Sequence, residues 1–166
     1  MAGATLFSHV VFVIFLFIYF TQTNFKEGTQ QFVKKYIDEI LFVISGSALV
    51  GSLIYSNIIG FPPCDLCWIQ RIFMYPQVAL AVVSLWRKEK LAVFYALPLS
   101  ILGGLVAFFQ SLTDWGIGGS LLPCTAEGGA CSRVYVMEYG YITIPVMALT
   151  AFAYLLMVSW IYKKAK

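Results

Sequence analysis

Charge is what this chain has least of. Only 11% of its 166 residues are charged, 60% are apolar and the mean hydropathy is +0.82. A soluble domain carries roughly 25% charged residues, so too few remain here to cover a soluble globule. Histidine is almost absent: His9 stands alone and no Cys-x-x-Cys-His occurs, which leaves cytochrome-type haem without support. No Gly-x-Gly-x-x-Gly run follows a strand, so a flavin or nicotinamide has no nucleotide fold to bind. Repeats, Gly/Ser linkers and low-complexity tails are also missing. Disorder is excluded by 14 Phe and 10 Tyr, because disordered chains are poor in aromatics. The net charge of +3 gives no case for nucleic acid as a partner. What remains is one small integral membrane protein whose solvent is the lipid bilayer.

A bilayer core of about 30 Å takes about 20 apolar residues in helix. Ile40–Ile59, Leu91–Thr113 and Tyr139–Tyr162 are charge-free runs of 20, 23 and 24 residues. Ile72–Trp86 has only 15, and reaches spanning length if Arg71 and the Cys67 turn lie at its outer edge. A fifth run, about Thr5 to Thr23, has no basic region before it and no small-residue cleavage site, so it is expected to be a retained helix. Between it and the next run, segment 24–39 repeats Phe25, Phe32, Val33, Tyr36 and Ile37 near helical spacing. This connector is expected to lie on the inner membrane surface or to extend the next span inward.

The basic residues orient the spans. Lys26, Lys34 and Lys35 precede the second span. Arg87, Lys88 and Lys90 separate the third and fourth, and Lys163, Lys164 and Lys166 follow the fifth. Alternating spans put these nine of the eleven basic residues on one side, which is expected to be cytoplasmic. The chain is then a multi-pass protein of the cell (inner, cytoplasmic) membrane with its N-terminus outside.

That orientation places Cys64, Cys67, Cys124 and Cys131 at the extracytoplasmic face, where disulfides persist. The even count and the pairing by position suggest two disulfides. For Cys124 and Cys131, six residues apart across a Gly128-Gly129 segment, a structural staple and a redox role both fit. For Cys64 and Cys67 a staple fits poorly, because a two-residue spacer removes almost no unfolded-chain entropy. Such a pair is more often redox-active or metal-binding. Metal is set aside, because the second spacing is too wide for a four-cysteine zinc site.

The surroundings of Cys67 favour reactivity. Pro62 and Pro63 keep the chain extended before Cys64. Asp65 is the expected N-cap, with a helix starting near Leu66. Cys67 then sits in the first turn, where free N–H groups and the helix dipole stabilise an anion. Arg71 follows by four residues on the same face, about 6 Å along the axis. An ionisable residue at the membrane edge is a candidate functional group. Arg71 has two candidate jobs, stabilising the Cys67 thiolate or holding a polar group of something dissolved in the bilayer; snorkelling to a headgroup is the bland alternative. A dithiol beside a buried Arg at the membrane boundary implies electron exchange with a lipid-soluble carrier, and a quinone is what remains.

The run Phe61-Pro62-Pro63-Cys64-Asp65-Leu66-Cys67-Trp68-Ile69-Gln70-Arg71-Ile72-Phe73-Met74-Tyr75-Pro76 resembles the signature of the DsbB family of thiol oxidases, close to its BdbC-type members. The second cysteine pair in the next outer loop and Gly140-Tyr141-Ile142-Thr143-Ile144-Pro145 add to the likeness, which covers about residues 40 to 162. The resemblance implies an all-α membrane protein with a four-helix transmembrane bundle over residues 40–166. Residues 1–39 then form an extra N-terminal transmembrane helix and a cytoplasmic amphipathic connector. It implies an oxidoreductase that supports extracytoplasmic disulfide formation and protein folding, a chaperone-like role coupled to electron transport. Its partner would be a DsbA-like thioredoxin-fold oxidase, and its acceptor the membrane quinone pool (ubiquinone or menaquinone). By position, Cys64 and Cys67 are the pair beside the quinone, with Cys67 in contact with it and Arg71 on a quinone carbonyl. Cys124 and Cys131 are the mobile pair, with Cys124 forming the mixed disulfide and Cys131 leaving. The family often has a His near the outer end of the third core span; Phe108-Phe109-Gln110 stands there instead, and Gln110 can donate a hydrogen bond but cannot titrate.

Two other readings fit the same features less well. A vitamin K epoxide reductase-like enzyme also couples Cys-x-x-Cys to a quinone, but its redox motif comes after the loop cysteines. A non-enzymatic membrane scaffold with structural disulfides has no need of Arg71 in the span.

Overall fold

The computed structural model describes residues 2–117, 131 and 133–165. Cys124 and the Gly128-Gly129 segment lie outside the described residues. Five α-helices follow in order: α1 (Ala2–Thr21), α2 (Thr23–Leu53), α3 (Asp65–Arg87), α4 (Ala92–Asp114) and α5 (Ile144–Ala165). A single π-helical turn, Ile54–Ile58, extends α2. Among the described residues the only strand-like pairing is one isolated bridge, Glu138 with Ile142.

Among the described residues four helices are long and apolar enough to cross a membrane: Phe25–Ile58, Asp65–Arg87, Ala92–Asp114 and Ile144–Ala165. With the shorter apolar α1 beside them, the chain is an all-α, multi-pass membrane protein. The outer surface fits that solvent, with Phe7, Phe17, Ile72 and Leu105 among many large apolar side chains facing outward.

Local chemistry explains most helix limits. Pro62 and Pro63 keep the backbone extended, and Cys64 is the N-cap of α3 (ψ 172°). Asp65 is therefore not the cap but the first helical residue, where its charge still meets the helix dipole. Arg87 occupies the last turn and Lys88 closes α3 in the left-handed region at φ 55°. The apolar run expected to span from Tyr139 becomes helical only at Ile144. Tyr139 (φ 54°) and Gly140 (φ 77°) form a left-handed turn that the Glu138–Ile142 bridge closes. The connector 24–39 is an extension of the second span, continuous with it except for a kink at Tyr36 (φ −111°, ψ 23°).

The bundle packs α2, α3, α4 and α5 around a core that includes Ile37, Val93, Phe152, Leu155 and Ile161. Polar pairs cross it along one stripe of α3 at seven-residue intervals. Gln70 Nε2 donates to Gln110 Oε1 at 2.7 Å, Ser100 Oγ to Gln77 Oε1 at 3.0 Å, and Ser84 Oγ to Asp38 Oδ1 at 2.8 Å. Asp38 also pairs with Lys90 at 3.1 Å, tying the α3–α4 turn to α2. Interhelical hydrogen bonds of this kind hold helices together where lipid removes the hydrophobic drive.

Helix α1 runs parallel to α5 and presents its polar residues to it. The Tyr154 hydroxyl donates to Ser8 O at 2.7 Å and accepts from Ser8 Oγ at 2.9 Å. His9 contacts Thr150 Oγ1 at 2.7 Å and the Tyr141 hydroxyl at 3.2 Å. Thr150 already donates its proton to Val146 O, so His9 Nε2 is the donor toward Thr150.

Phe152 of α5, fully buried, packs on Gly103 of α4, where a Cβ would lie 2.4 Å from its ring. Gly103→Ala is predicted to destabilise the bundle by about 1–3 kcal/mol, as overpacking does. At Gly104 a Cβ would make an ordinary 3.6 Å contact, so Gly104→Ala is predicted to leave stability unchanged or raised. Thermal unfolding in detergent separates the two.

Candidate functional site

Cys64 and Cys67 lie one helical turn apart at the start of α3, with their sulfurs 3.0 Å from each other. That separation is a thiol contact; a disulfide bond is about 2.05 Å. Cys64 is buried, and it packs in one small cluster with Leu66 and Cys131, flanked by Cys67, Val106 and Phe109. Cys131 is 1% exposed and interacts with Cys64. The fold therefore brings together three of the four cysteines from segments more than 60 positions apart; Cys124 lies outside the described residues.

The amide of Gln110, on α4, reaches both sulfurs. Its Nε2 is 3.3 Å from Cys64 Sγ and 3.5 Å from Cys67 Sγ. Arg71 is buried at 8% exposure, yet its hydrogen bonds run elsewhere. Nε donates to Ser52 Oγ at 3.0 Å and Nη2 to Ser52 O at 3.1 Å, and the guanidinium lies 5.2 Å over the Trp68 ring. In this arrangement the Gln110 amide meets the sulfurs and Ser52 meets the guanidinium. Just before α2 passes into its π-helical turn, Ser52 offers both its hydroxyl and its carbonyl to the guanidinium.

Cys64, Cys67, Gln70, Arg71 and Gln110 all line one cavity of about 690 Å³. Its remaining walls are mostly apolar, with Ile40, Ile44 and Ala48 from α2 and Met147, Ala148 and Phe152 from α5. Thr5 and Ser8 of α1 also reach it. A mostly apolar cavity of this size with a few convergent polar groups suits a lipid-soluble small molecule. Among the described residues no group of three His, Cys, Asp or Glu is placed to hold a metal ion.

A scan against protein families matches residues 37–162 to "Disulfide bond formation protein DsbB". The chain belongs to the DsbB family. Among its relatives is "Disulfide bond formation protein C" of Bacillus subtilis (strain 168), 36% identical, the match covering 75% of this chain and 91% of the relative. "Probable disulfide formation protein C 2" of Bacillus anthracis is 32% identical over 78% of this chain and 91% of its own. "SPbeta prophage-derived disulfide bond formation protein B" of Bacillus subtilis (strain 168) is 35% identical over 69% and 76%. No solved structure matches the chain. The DsbB-family match begins inside α2, so α1 and the first turns of α2 precede it.

Sequence reasoning points to Cys64, Cys67, Cys124, Cys131 and Arg71; the bundle puts Cys64, Cys67 and Arg71 on the cavity wall, with Cys131 packed against Cys64, while Cys124 lies outside the described residues. It misses Gln70 and Ser52. Gln70 could be found from the polar stripe Gln70, Gln77, Ser84 in an otherwise apolar helix; Ser52 carries no such signal.

The hydrogen bond from the Cys67 thiol holds the Cys64 thiol below the ordinary cysteine range, against the opposing effect of burial. A thiol with a lowered pKa stays reactive as pH falls, down to that lowered value. Alkylation of Cys64 in the reduced protein, followed by mass spectrometry across pH, is predicted to have its midpoint below the roughly 8.5 of a free cysteine. In Cys67→Ala the donor is gone, and the midpoint is predicted to rise.

Proposed function

We propose that this membrane protein of disulfide formation is a protein-disulfide:quinone oxidoreductase. In this reading it reoxidises a DsbA-like thioredoxin-fold partner and passes the electrons to a membrane quinone. The observation that carries the reading is the shared wall. The Cys64–Cys67 pair, a buried guanidinium and two buried amides line one apolar cavity of about 690 Å³, and Cys131 packs against Cys64 from the loop side. Bound there, a quinone supplies a sink for two electrons and two protons. Arg71 is the residue to hold a carbonyl oxygen, because a guanidinium has five N–H donors and Ser52 takes two of them. The apolar flanks of α2 and α5 suit an isoprenoid tail.

The cysteine steps are thiol–disulfide exchanges. A partner thiolate attacks Cys124 of an oxidised Cys124–Cys131 pair, and Cys131 leaves as thiolate. The Cys131 sulfur then attacks Cys64 of the oxidised inner pair, and Cys67 leaves as thiolate at the cavity wall. The partner's second thiol resolves its mixed disulfide and frees Cys124, whose thiolate attacks Cys131 of the Cys131–Cys64 bond, restoring the outer pair and releasing Cys64. Two electrons have then moved from partner to inner pair, and the partner's two thiol protons are released. The packing of Cys131 on Cys64 supports this order.

The loop bearing the cysteines faces the extracytoplasmic side, and the lysine-rich ends face the cytoplasm. The three basic clusters and the oxidising chemistry both support that orientation. Residues 40–166 form the DsbB-like unit, and residues 1–39 are an addition to it.

Cys67→Ser is predicted to abolish partner reoxidation with quinone as acceptor. Normal turnover in that variant overturns the scheme. Arg71→Met is predicted to raise the KM for quinone about tenfold or more, from the loss of a charged hydrogen bond worth roughly 1.5–3 kcal/mol, with kcat changed less. An unchanged KM with a lowered unfolding temperature would make Arg71 only a clamp on Ser52.

A further inference from the structure

We propose that Gln110 is the group that holds the thiolate of the inner cysteine pair, and that Gln70 is a positioning residue that fixes Gln110 in the orientation required. The proposal rests on the reading of Cys64 and Cys67 as the exchanging pair.

A carboxamide has a donor end and an acceptor end. Only the donor end stabilises a thiolate; turned over, the carbonyl oxygen would face the sulfur and repel it. In this structure the choice is made by a second residue. Gln70 Nε2 donates to Gln110 Oε1 at 2.7 Å. With its oxygen engaged there, the Gln110 NH₂ is left to the sulfurs, at 3.3 Å from Cys64 and 3.5 Å from Cys67. Gln110 has two amide protons and two sulfur neighbours, so the anion is met on whichever cysteine carries it. Gln70 lies three residues after Cys67, on the same face of α3. Gln70 and Gln110 are 7% and 4% exposed, and a hydrogen bond to an anion is stronger where water is excluded.

An amide does not titrate, so this support has the same strength at every working pH. Among the described residues the titratable or charged groups around the pair are Cys131 on the loop, Asp65 and Arg71 on α3, Tyr55 beyond α2, Asp114 at the end of α4, Arg133 and Tyr135 before α5 and Tyr154 on α5. All are retained in the variants below, so differences between variants report on the amides.

The test uses the full-length protein in detergent, reduced and free of quinone, so that it stands apart from the quinone reading. The ultraviolet absorbance of the thiolate is followed against pH. Gln110→Leu is expected to raise the proton affinity of the pair about tenfold, moving the midpoint to higher pH. Gln70→Leu is expected to move it the same way by less, and the double variant to match Gln110→Leu alone, because Gln70 acts only through Gln110. Thermal unfolding of each variant identifies any loss of fold. Gln110→His keeps a hydrogen-bonding group and is expected to add a second step near the imidazole range of about 6.5. The proposal is overturned if folded Gln110→Leu titrates like the parent, or if Gln110→His shows no added step. The positioning role of Gln70 falls if its substitution has no effect, or adds to that of Gln110→Leu in the double variant.

Discussion

A polar side chain inside a bilayer has no water to turn to, so its partner must come from another helix. This constraint organises the protein. Along α3 the polar residues Gln70, Gln77 and Ser84 recur every seventh position, and each reaches a different helical position: Gln110 and Ser100 on α4, Asp38 on α2. The three contacts set the rotation of α3 about its own axis. Cys67 and Arg71 ride on that helix, so the stripe also decides where they point.

At the cavity the work is divided between a charge and a dipole. Arg71 is anchored by Ser52 and stacked over Trp68, and it faces the volume where a ligand fits. Gln110 instead lies within hydrogen-bond reach of both sulfurs. A single cation doing both jobs would have to lie between thiolate and ligand, and would lose strength at each. The separation follows from geometry, since Ser52 of α2 holds the guanidinium on one side and α4 brings the amide from the other. The burial of Cys131 beside Cys64 completes the arrangement on the loop side.

Much of the fold was legible from hydropathy, because long apolar runs record the thickness of a bilayer directly. The edges were less so. The Tyr139–Thr143 stretch is apolar enough for a span, but its left-handed turn depends on backbone angles that hydropathy does not encode. The Asp65 shift is a one-residue case of the same kind. For the site, the Cys64-x-x-Cys67 motif and Arg71 were legible because their chemistry is local to one helix. The partners were not. Ser52 and Arg71 are 19 positions apart, Gln70 and Gln110 are 40, and Cys64 and Cys131 meet only through the bundle. Spacing along a chain says which face a residue occupies, while the neighbour across that face depends on packing.

The seven-residue stripe has one more consequence. Advancing α3 by a single residue would turn it by about 100° and shift it by about 1.5 Å. Gln70, Gln77 and Ser84 would then lose their partners together, so the helix has no partial stops. It behaves as a fixed post with one permitted register. The sulfurs at the head of α3 therefore keep one place, and Cys131 meets Cys64 there from chain outside α1 to α5.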